Sequence, residues 1–415
     1  MKLLVEPRPL NGRVTMPGSK SLSLRALVAA SLAEGKSTIS NLLDSADTKY
    51  AIKFLKDAGI NINIINDKVV INGNTFNDTK PIFNAGSSAT IWRFMIPILV
   101  YKFGRISITG HSDLLSRPLF ENLEFLNYQE VEKDIYEICG IIKAGHYKIS
   151  PKLTSQVVSG LLFLLPLLKG NSKIQLTGDI ASYGYLKMTY DFLKSIGIKM
   201  SIKNNLIFIT GNQKYKAFDY YVEGDYSLAA NYLIMGLRKD SNIIVEGLID
   251  PQKSLQPDAK IVDILELANV KTTYNDGALQ IINKEIIKPF EYDFTNNIDI
   301  IPICSVIALL TDGISRFKGI LNLRFKESNR LEAVFMNVRR VGEVKIFGNE
   351  LTISGPIKHY DYQFDAYNDH RIIMASISLA NFFDRPILIK NCNYIEKSHP
   401  QFFQNFIDLG GKLND

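Results

Sequence analysis

The chain has little cysteine and little histidine, and both shortages exclude chemistry. Cys139, Cys304 and Cys392 are odd in number, far apart and without a CxxC pair, which argues against a disulfide framework and against a thiolate zinc site. The five histidines, at 111, 146, 359, 370 and 399, show no metal-ligand spacing. No apolar run approaches the roughly 20 residues that a bilayer demands; the longest, residues 161–168, is interrupted by Pro166. The opening Met-Lys-Leu-Leu-Val-Glu-Pro-Arg puts charge where a secretion signal needs apolar residues, so a cytoplasmic location is expected. A polybasic stripe is missing too. Counting 48 Lys and Arg against 42 Asp and Glu leaves +6, but the cations are scattered, a distribution that suits acidic small molecules better than nucleic acid. Residues 29–37 end like a phosphate-binding P-loop, yet Ala30 stands where that loop needs glycine and the stretch lies at a helix end, so ATP binding is not expected.

What is present is a repeat. At 415 residues, 46% hydrophobic and 22% charged, the chain has enough apolar surface for two globular domains or one large one. Six amphipathic helices are predicted to end at residues that tolerate a left-handed C-cap, namely Gly59, Asn127, Gly197, Asn269, Gly342 and Gly410, with a period of about 70 residues. Hairpins with polar turns follow at Asn66-Asp67, Asn204-Asn205, Asn275-Asp276-Gly277 and Gly348-Asn349, and a strand-like run precedes each helix. Buried helices are predicted between these units over 21–33, 89–101, 155–168, 227–237, 302–310 and 371–381. The sixth copy runs out before its hairpin, so the extended residues 1–9 are expected to complete it. Two lobes follow, each of three repeats. The first is residues 15–222; the second joins 1–14 to 223–415, with a cleft expected between them.

The stretch Asn322-Leu-Arg-Phe-Lys-Glu-Ser-Asn-Arg330 is predicted to leave a strand at Ile320 and Leu321 and enter a helix bearing Leu331, Val334, Phe335, Val338 and Val341. Lys326 and Arg330 would then share its opening turn, with Glu327 between them. A helix N-terminus already carries partial positive charge, so cations there are unfavourable unless an anion joins them. The pattern recurs at Lys20 and Arg25, at Arg117 before Pro118, at Arg371 after Asn368-Asp369-His370, and at Lys397 before Ser398. Five such helix starts point to a shared, multiply charged anionic ligand. Neutral donors stand at other starts: Thr154-Ser155-Gln156, Ser182, and Asn84-Ala85-Gly86. Glu327 and Asp299 are the candidate acid and base; an Asp299 set among cations would stay ionised and could accept a proton from a hydroxyl.

These residues together resemble the 5-enolpyruvylshikimate-3-phosphate synthase family. The matching set is Pro17-Gly-Ser-Lys-Ser-x-Ser-x-Arg25, Asn84-Ala-Gly86, Arg117-Pro118, Ser155-Gln156, Asp299-x-x-Pro302, Lys326-Glu-Ser-x-Arg330, Asp369-His-Arg371 and Lys397-Ser398, which spans the chain in order. The resemblance implies a two-lobed inside-out α/β barrel of six βαβαββ repeats, three per lobe, that closes on its substrates. It implies transfer of the enolpyruvyl group of phosphoenolpyruvate to shikimate 3-phosphate, by a 3-phosphoshikimate 1-carboxyvinyltransferase acting with no cofactor and no metal, as a monomer, with no nucleic acid or membrane partner. By match, Lys20, Gly86, Arg117, Gln156, Arg330, Arg371 and Lys397 would surround phosphoenolpyruvate, while Ser21, Arg25, Thr154, Ser155, Ser182, Asn322 and Lys326 would hold shikimate 3-phosphate. Asp299 would take the proton of the attacking hydroxyl and Glu327, helped by Lys326, would protonate the methylene carbon; Lys20 is counted with them among the catalytic groups.

The chain departs from the family pattern at Leu24, Thr154, Tyr183-Gly184 and Asn329, and Arg93 lies about one helical turn further from Asn84 than the corresponding arginine. Two rival readings are a transferase acting on UDP-N-acetylglucosamine and a non-catalytic basic repeat protein that binds nucleic acid. The first uses Lys-Asn where Lys20-Ser21 stand, and a loop cysteine this chain lacks between 111 and 117. Against the second, the cations sit singly among Gly, Ser and Asn rather than in runs with aromatics.

Overall fold

The computed structural model describes residues 1–77, 82–284, 286–358 and 361–414, so His359 lies outside the described residues. The chain divides into two compact units. One is continuous, Gly18–Val222; the other is split, Met1–Pro17 with Glu223–Asp415.

Among the described residues the continuous unit contains three four-stranded sheets, and so does the split unit. All are wired alike. In the sheet of Gly35–Ser40, that strand runs parallel to Asp219–Tyr221 on one side and antiparallel to Lys68–Gly73 on the other, which in turn pairs with Asn61–Ile65. The hairpin closes through Asn66 and Asp67 at φ 46° and 61°, the two consecutive positive φ values that a two-residue turn matched to strand twist requires and that Asn and Asp tolerate. Similar hairpins turn through Asn204, Asp276-Gly277 and Gly348. In the split unit the strand Lys2–Glu6 lies between Ile387–Lys390 and Lys412–Asn414, antiparallel to both.

Beneath the sheets each unit packs buried helices against one another. In the split unit these are Tyr226–Met235, Ile301–Leu309 and His370–Ala380. The first two are buried at every position: they are apolar except for Ser227, Asn231 and Ser305, whose side chains hydrogen-bond within their own helix or to its Asp225 cap. In the continuous unit Lys20–Leu32, Ala89–Phe103 and Gln156–Leu164 play the same part. No helix of the described residues is long and apolar enough to cross a membrane.

Three local expectations are corrected. The helix expected to end at Asn127 is absent: a short helix, Ser112–Leu115, gives way to turns, Asn122 takes a left-handed conformation, and Asn127 opens a strand. Leu119, Leu123 and Leu126 are buried from those turns, so their helix-like spacing reports the core and not a helix. Pro118 therefore opens no helix. Next, the strand expected to reach Leu321 ends at Lys318, Gly319 turns it at φ 76°, and Leu321–Phe325 is a 3-10 turn. The following helix begins at Arg330 under an Asn329 cap, leaving Lys326 and Glu327 ahead of it. Last, Ser398 caps no helix. Pro400 disfavours helical geometry in the residue before it, and Phe402–Asp408 starts later, at Gln401.

Candidate functional site

In the continuous unit the candidate residues form one connected run. Lys20 opens the first helix and its Nζ donates to Asp47 Oδ2 at 3.2 Å. Ser21 is next, and its carbonyl accepts from Arg25 Nη1 at 2.7 Å. The buried Arg25 guanidinium also donates to Thr189 Oγ1 at 2.8 Å and to the Tyr185 carbonyl at 2.8 Å, and lies over the Phe94 ring. Burial pushes its pKa down to about 9, against the smaller opposing pull of Tyr185 and Tyr220. Tyr185 belongs to the helix Tyr183–Ser195, headed by Ser182 in a left-handed conformation. The Ser182 carbonyl accepts from Ser155 Oγ at 3.0 Å, so neither hydroxyl caps its helix. Thr154 Oγ1 instead takes the Gln156 backbone N–H at 3.2 Å.

Gln156 carries the run onward. Its Oε1 accepts from Arg93 Nη1 at 2.7 Å, and Arg93 Nη2 donates to the Pro118 carbonyl at 2.8 Å. Beside Pro118, Arg117 Nε donates to the Asp113 carbonyl at 3.2 Å, and its Nη2 lies 3.8 Å from the Asp113 carboxylate. That carboxylate accepts from Ser87 Oγ at 2.7 Å, next to Gly86. Gly86 sits at φ 58° with the Tyr50 ring where a Cβ would be, 2.5 Å from its nearest atom. Its N–H donates to Asn84 Oδ1 and its carbonyl accepts from His111, which pins the loop.

The split unit concentrates charge. Asp299, in the 3-10 turn Ile298–Ile300, faces Arg330 Nη1 at 3.0 Å, Lys326 Nζ at 3.1 Å and Arg371 Nη2 at 3.3 Å. Burial works against its charge and so does Glu327, but the three cations outweigh both and hold its carboxyl far below the usual range. Asp299 is thus ionised at neutral pH. Arg330, 1% exposed, is the hub: its Nε and Nη2 reach both oxygens of Asp369 at 2.7 and 3.1 Å, and Nη2 also meets Glu327 Oε2 at 2.5 Å. Burial favours loss of its proton, but Asp369, Glu327 and Asp299 raise its pKa above the ordinary value. Asp369 is fully buried, accepts from Ser328 Oγ at 3.0 Å, and caps its helix through the Arg371 N–H at 2.9 Å. Asn322 lies in the 3-10 turn that leads straight into Lys326. Lys397 is buried at the end of the 3-10 turn Ile395–Lys397, which packs against the helix headed by Arg371.

Sequence reasoning gave no role to Asp369, Asp47, Thr189 or Arg93, which hold Arg330, Lys20, Arg25 and Gln156. Asp369 left a signal as part of the Asp-His-Arg motif, and Arg93 left one as the displaced counterpart of a family arginine; Asp47 and Thr189 left none. The departure at Asn329 has a physical reading: its Oδ1 accepts the Glu332 N–H at 3.3 Å, and Asn caps as well as Asp.

Comparison with known proteins places this arrangement. The sequence profile described as EPSP synthase (3-phosphoshikimate 1-carboxyvinyltransferase) matches residues 4–406. A 3-phosphoshikimate 1-carboxyvinyltransferase of Clostridium perfringens is 35% identical over 426 residues, covering 99% of each chain, and one of Clostridioides difficile is 32% identical over 434 residues, covering 100% of this chain and 98% of its own. The fold is shared with EPSP synthase from Acinetobacter baumannii, at TM-score 0.80, 21% identity and full coverage of both chains. It is shared also with the enolpyruvyl transferase NikO from Streptomyces tendae, at TM-score 0.78 and 14% identity, covering 100% of this chain and 98% of that one. The chain belongs to the EPSP synthase family.

Proposed function

We propose that the chain transfers the enolpyruvyl group of phosphoenolpyruvate to the 5-hydroxyl of shikimate 3-phosphate, releasing phosphate, as a step of aromatic amino acid biosynthesis. The observation that carries this reading is Asp299: a partly buried carboxylate kept ionised by Lys326, Arg330 and Arg371, with Glu327 paired to Arg330. A carboxylate so held can accept a hydroxyl proton, and cations beside it can offset the charge of two anionic substrates.

In the proposed sequence Asp299 takes the proton of the 5-hydroxyl as its oxygen adds to C2 of phosphoenolpyruvate. Glu327, with Lys326 beside it, gives a proton to the C3 methylene, forming a tetrahedral adduct. Glu327, left as a carboxylate, then takes a proton back from C3 while phosphate leaves with the proton held by Asp299, which restores the double bond and both carboxyl groups. Lys20, Gly86, Arg117, Gln156, Arg330, Arg371 and Lys397 are assigned to phosphoenolpyruvate; Ser21, Arg25, Thr154, Ser155, Ser182, Asn322 and Lys326 are assigned to shikimate 3-phosphate. The reading includes a cytoplasmic monomer that needs neither metal nor nucleic acid.

The test is phosphate release from phosphoenolpyruvate, followed with and without shikimate 3-phosphate. Release that depends on shikimate 3-phosphate is expected. Release that instead needs UDP-N-acetylglucosamine, or none with either acceptor, would overturn the reading.

A further inference from the structure

We propose that Arg93 is a positioning residue that sets which edge of the Gln156 side-chain amide is offered to an anion. The inference rests on the proposed assignment of Gln156 to phosphoenolpyruvate. An amide has one edge that only accepts and one that only donates, and an anion can be held by the second alone. Exchanging them reverses the contact from attraction to repulsion, so a glutamine in an anion site must be prevented from flipping.

Arg93 meets that need because a guanidinium has donors and no acceptor. Its Nη1 lies 2.7 Å from Gln156 Oε1, a contact that the amide nitrogen could make only as donor against donor. The opposite edge agrees: Gln156 Nε2 donates to Thr90 Oγ1 at 3.0 Å, which uses one of its two hydrogens and leaves the other for a ligand. Gln156 is also the first residue of its helix, Gln156–Leu164, where backbone N–H groups add their own attraction for an anion.

The guanidinium is itself fixed. Arg93 is buried one turn into the helix Ala89–Phe103, capped by Ser88, and its Nη2 donates to the Pro118 carbonyl at 2.8 Å. One side chain thus ties the Gln156 amide to the residue that follows Arg117, so two groups assigned to phosphoenolpyruvate share a support. Burial weakens the hold of Arg93 on its proton, as does Arg117, while Glu121 strengthens it; its pKa of about 10 still leaves it charged at neutral pH. The placement of Arg93 deeper in its helix than the family pattern suits this span, since it reaches Gln156 with one nitrogen and Pro118 with another.

The test is steady-state phosphate release by the full chain, with each substrate varied in turn, for the wild type, Arg93→Met and Arg93→Lys. Methionine keeps length without a donor, and lysine keeps the charge with its donor hydrogens on a single nitrogen. In Arg93→Met the KM for phosphoenolpyruvate is expected to rise about tenfold, the equivalent of one lost hydrogen bond to a charged group, with the KM for shikimate 3-phosphate within about twofold. Arg93→Lys should recover most of the loss. An Arg93→Met enzyme with an unchanged KM for phosphoenolpyruvate, or with both KM values raised alike, overturns the proposal. Should Arg93→Met not fold, Gln156→Glu decides, because its carboxylate can satisfy Arg93 yet offers no N–H: a KM for phosphoenolpyruvate raised at least about tenfold supports the proposal, and an unchanged one overturns it. A wild-type chain without release dependent on shikimate 3-phosphate is a different failure, that of the functional assignment, and the proposal falls with it.

Discussion

Arg330 and Asp369 are joined twice across 39 residues of sequence, Nε to Oδ2 at 2.7 Å and Nη2 to Oδ1 at 3.1 Å, with both side chains out of contact with water. A buried pair of this kind is far more costly to break than to lack, because the remaining charge stays desolvated. Asp369→Asn is expected to destabilise the split unit by about 3 kcal/mol, read from urea or thermal unfolding. Loss below about 1 kcal/mol would mean that Asp299 and Glu327 alone hold Arg330.

Glu327 accepts from the same arginine, and Glu327→Gln keeps its size while removing its capacity to give and take a proton. Turnover is expected to fall by about 10²- to 10⁴-fold with substrate binding largely retained. Phosphate release and equilibrium binding of shikimate 3-phosphate measure the two quantities separately. Unchanged turnover would remove Glu327 from its proposed role.

Gly86 combines a positive φ with the Tyr50 ring against its missing side chain. Gly86→Ala should cost about 1–2 kcal/mol from backbone conformation alone, and more from the clash at 2.5 Å. Adding Tyr50→Ala should return the clash component and leave the backbone one. Urea unfolding of the two single variants and the double variant separates them; strict additivity would mean that ring and methyl never meet.

His399 is fully buried and receives or gives a hydrogen bond with Tyr232 Oη at 2.8 Å. Burial pushes its pKa down to about 4, with Asp225 pulling weakly the other way. The folded value lies below the unfolded one, so its neutral form contributes fully above pH 6.5. That contribution is lost as the pH falls toward 4, to about 3 kcal/mol in all. A His399→Gln variant should therefore show a shallower loss of stability between pH 6.5 and 4 than the wild type.

Local geometry was legible where one or two residues decide it. Asn66-Asp67 spells its turn because few other pairs accept two positive φ values in succession. The cations of the 326–330 stretch were also visible, since residue type and spacing alone expose them. Their partners were not. Lys20 meets Asp47 across 27 residues and Arg330 meets Asp369 across 39, and no periodicity records a contact made by packing. Leu119, Leu123 and Leu126 misled for the converse reason: burial imposes its own spacing, which a string of turns can satisfy as well as a helix.

The strand Lys2–Glu6, paired on one edge with Lys412–Asn414, also sets a timetable. A ribosome that has released Val222 has released all of the continuous unit, which can close its sheets while translation proceeds. The strand Lys2–Glu6 must meanwhile wait, unpaired and apolar at Leu3 and Val5, until its neighbours Ile387–Lys390 and Lys412–Asn414 have been made. Closing so long a loop adds entropy that grows only slowly with length, so the delay is a burden of exposure to aggregation and proteolysis more than of final stability.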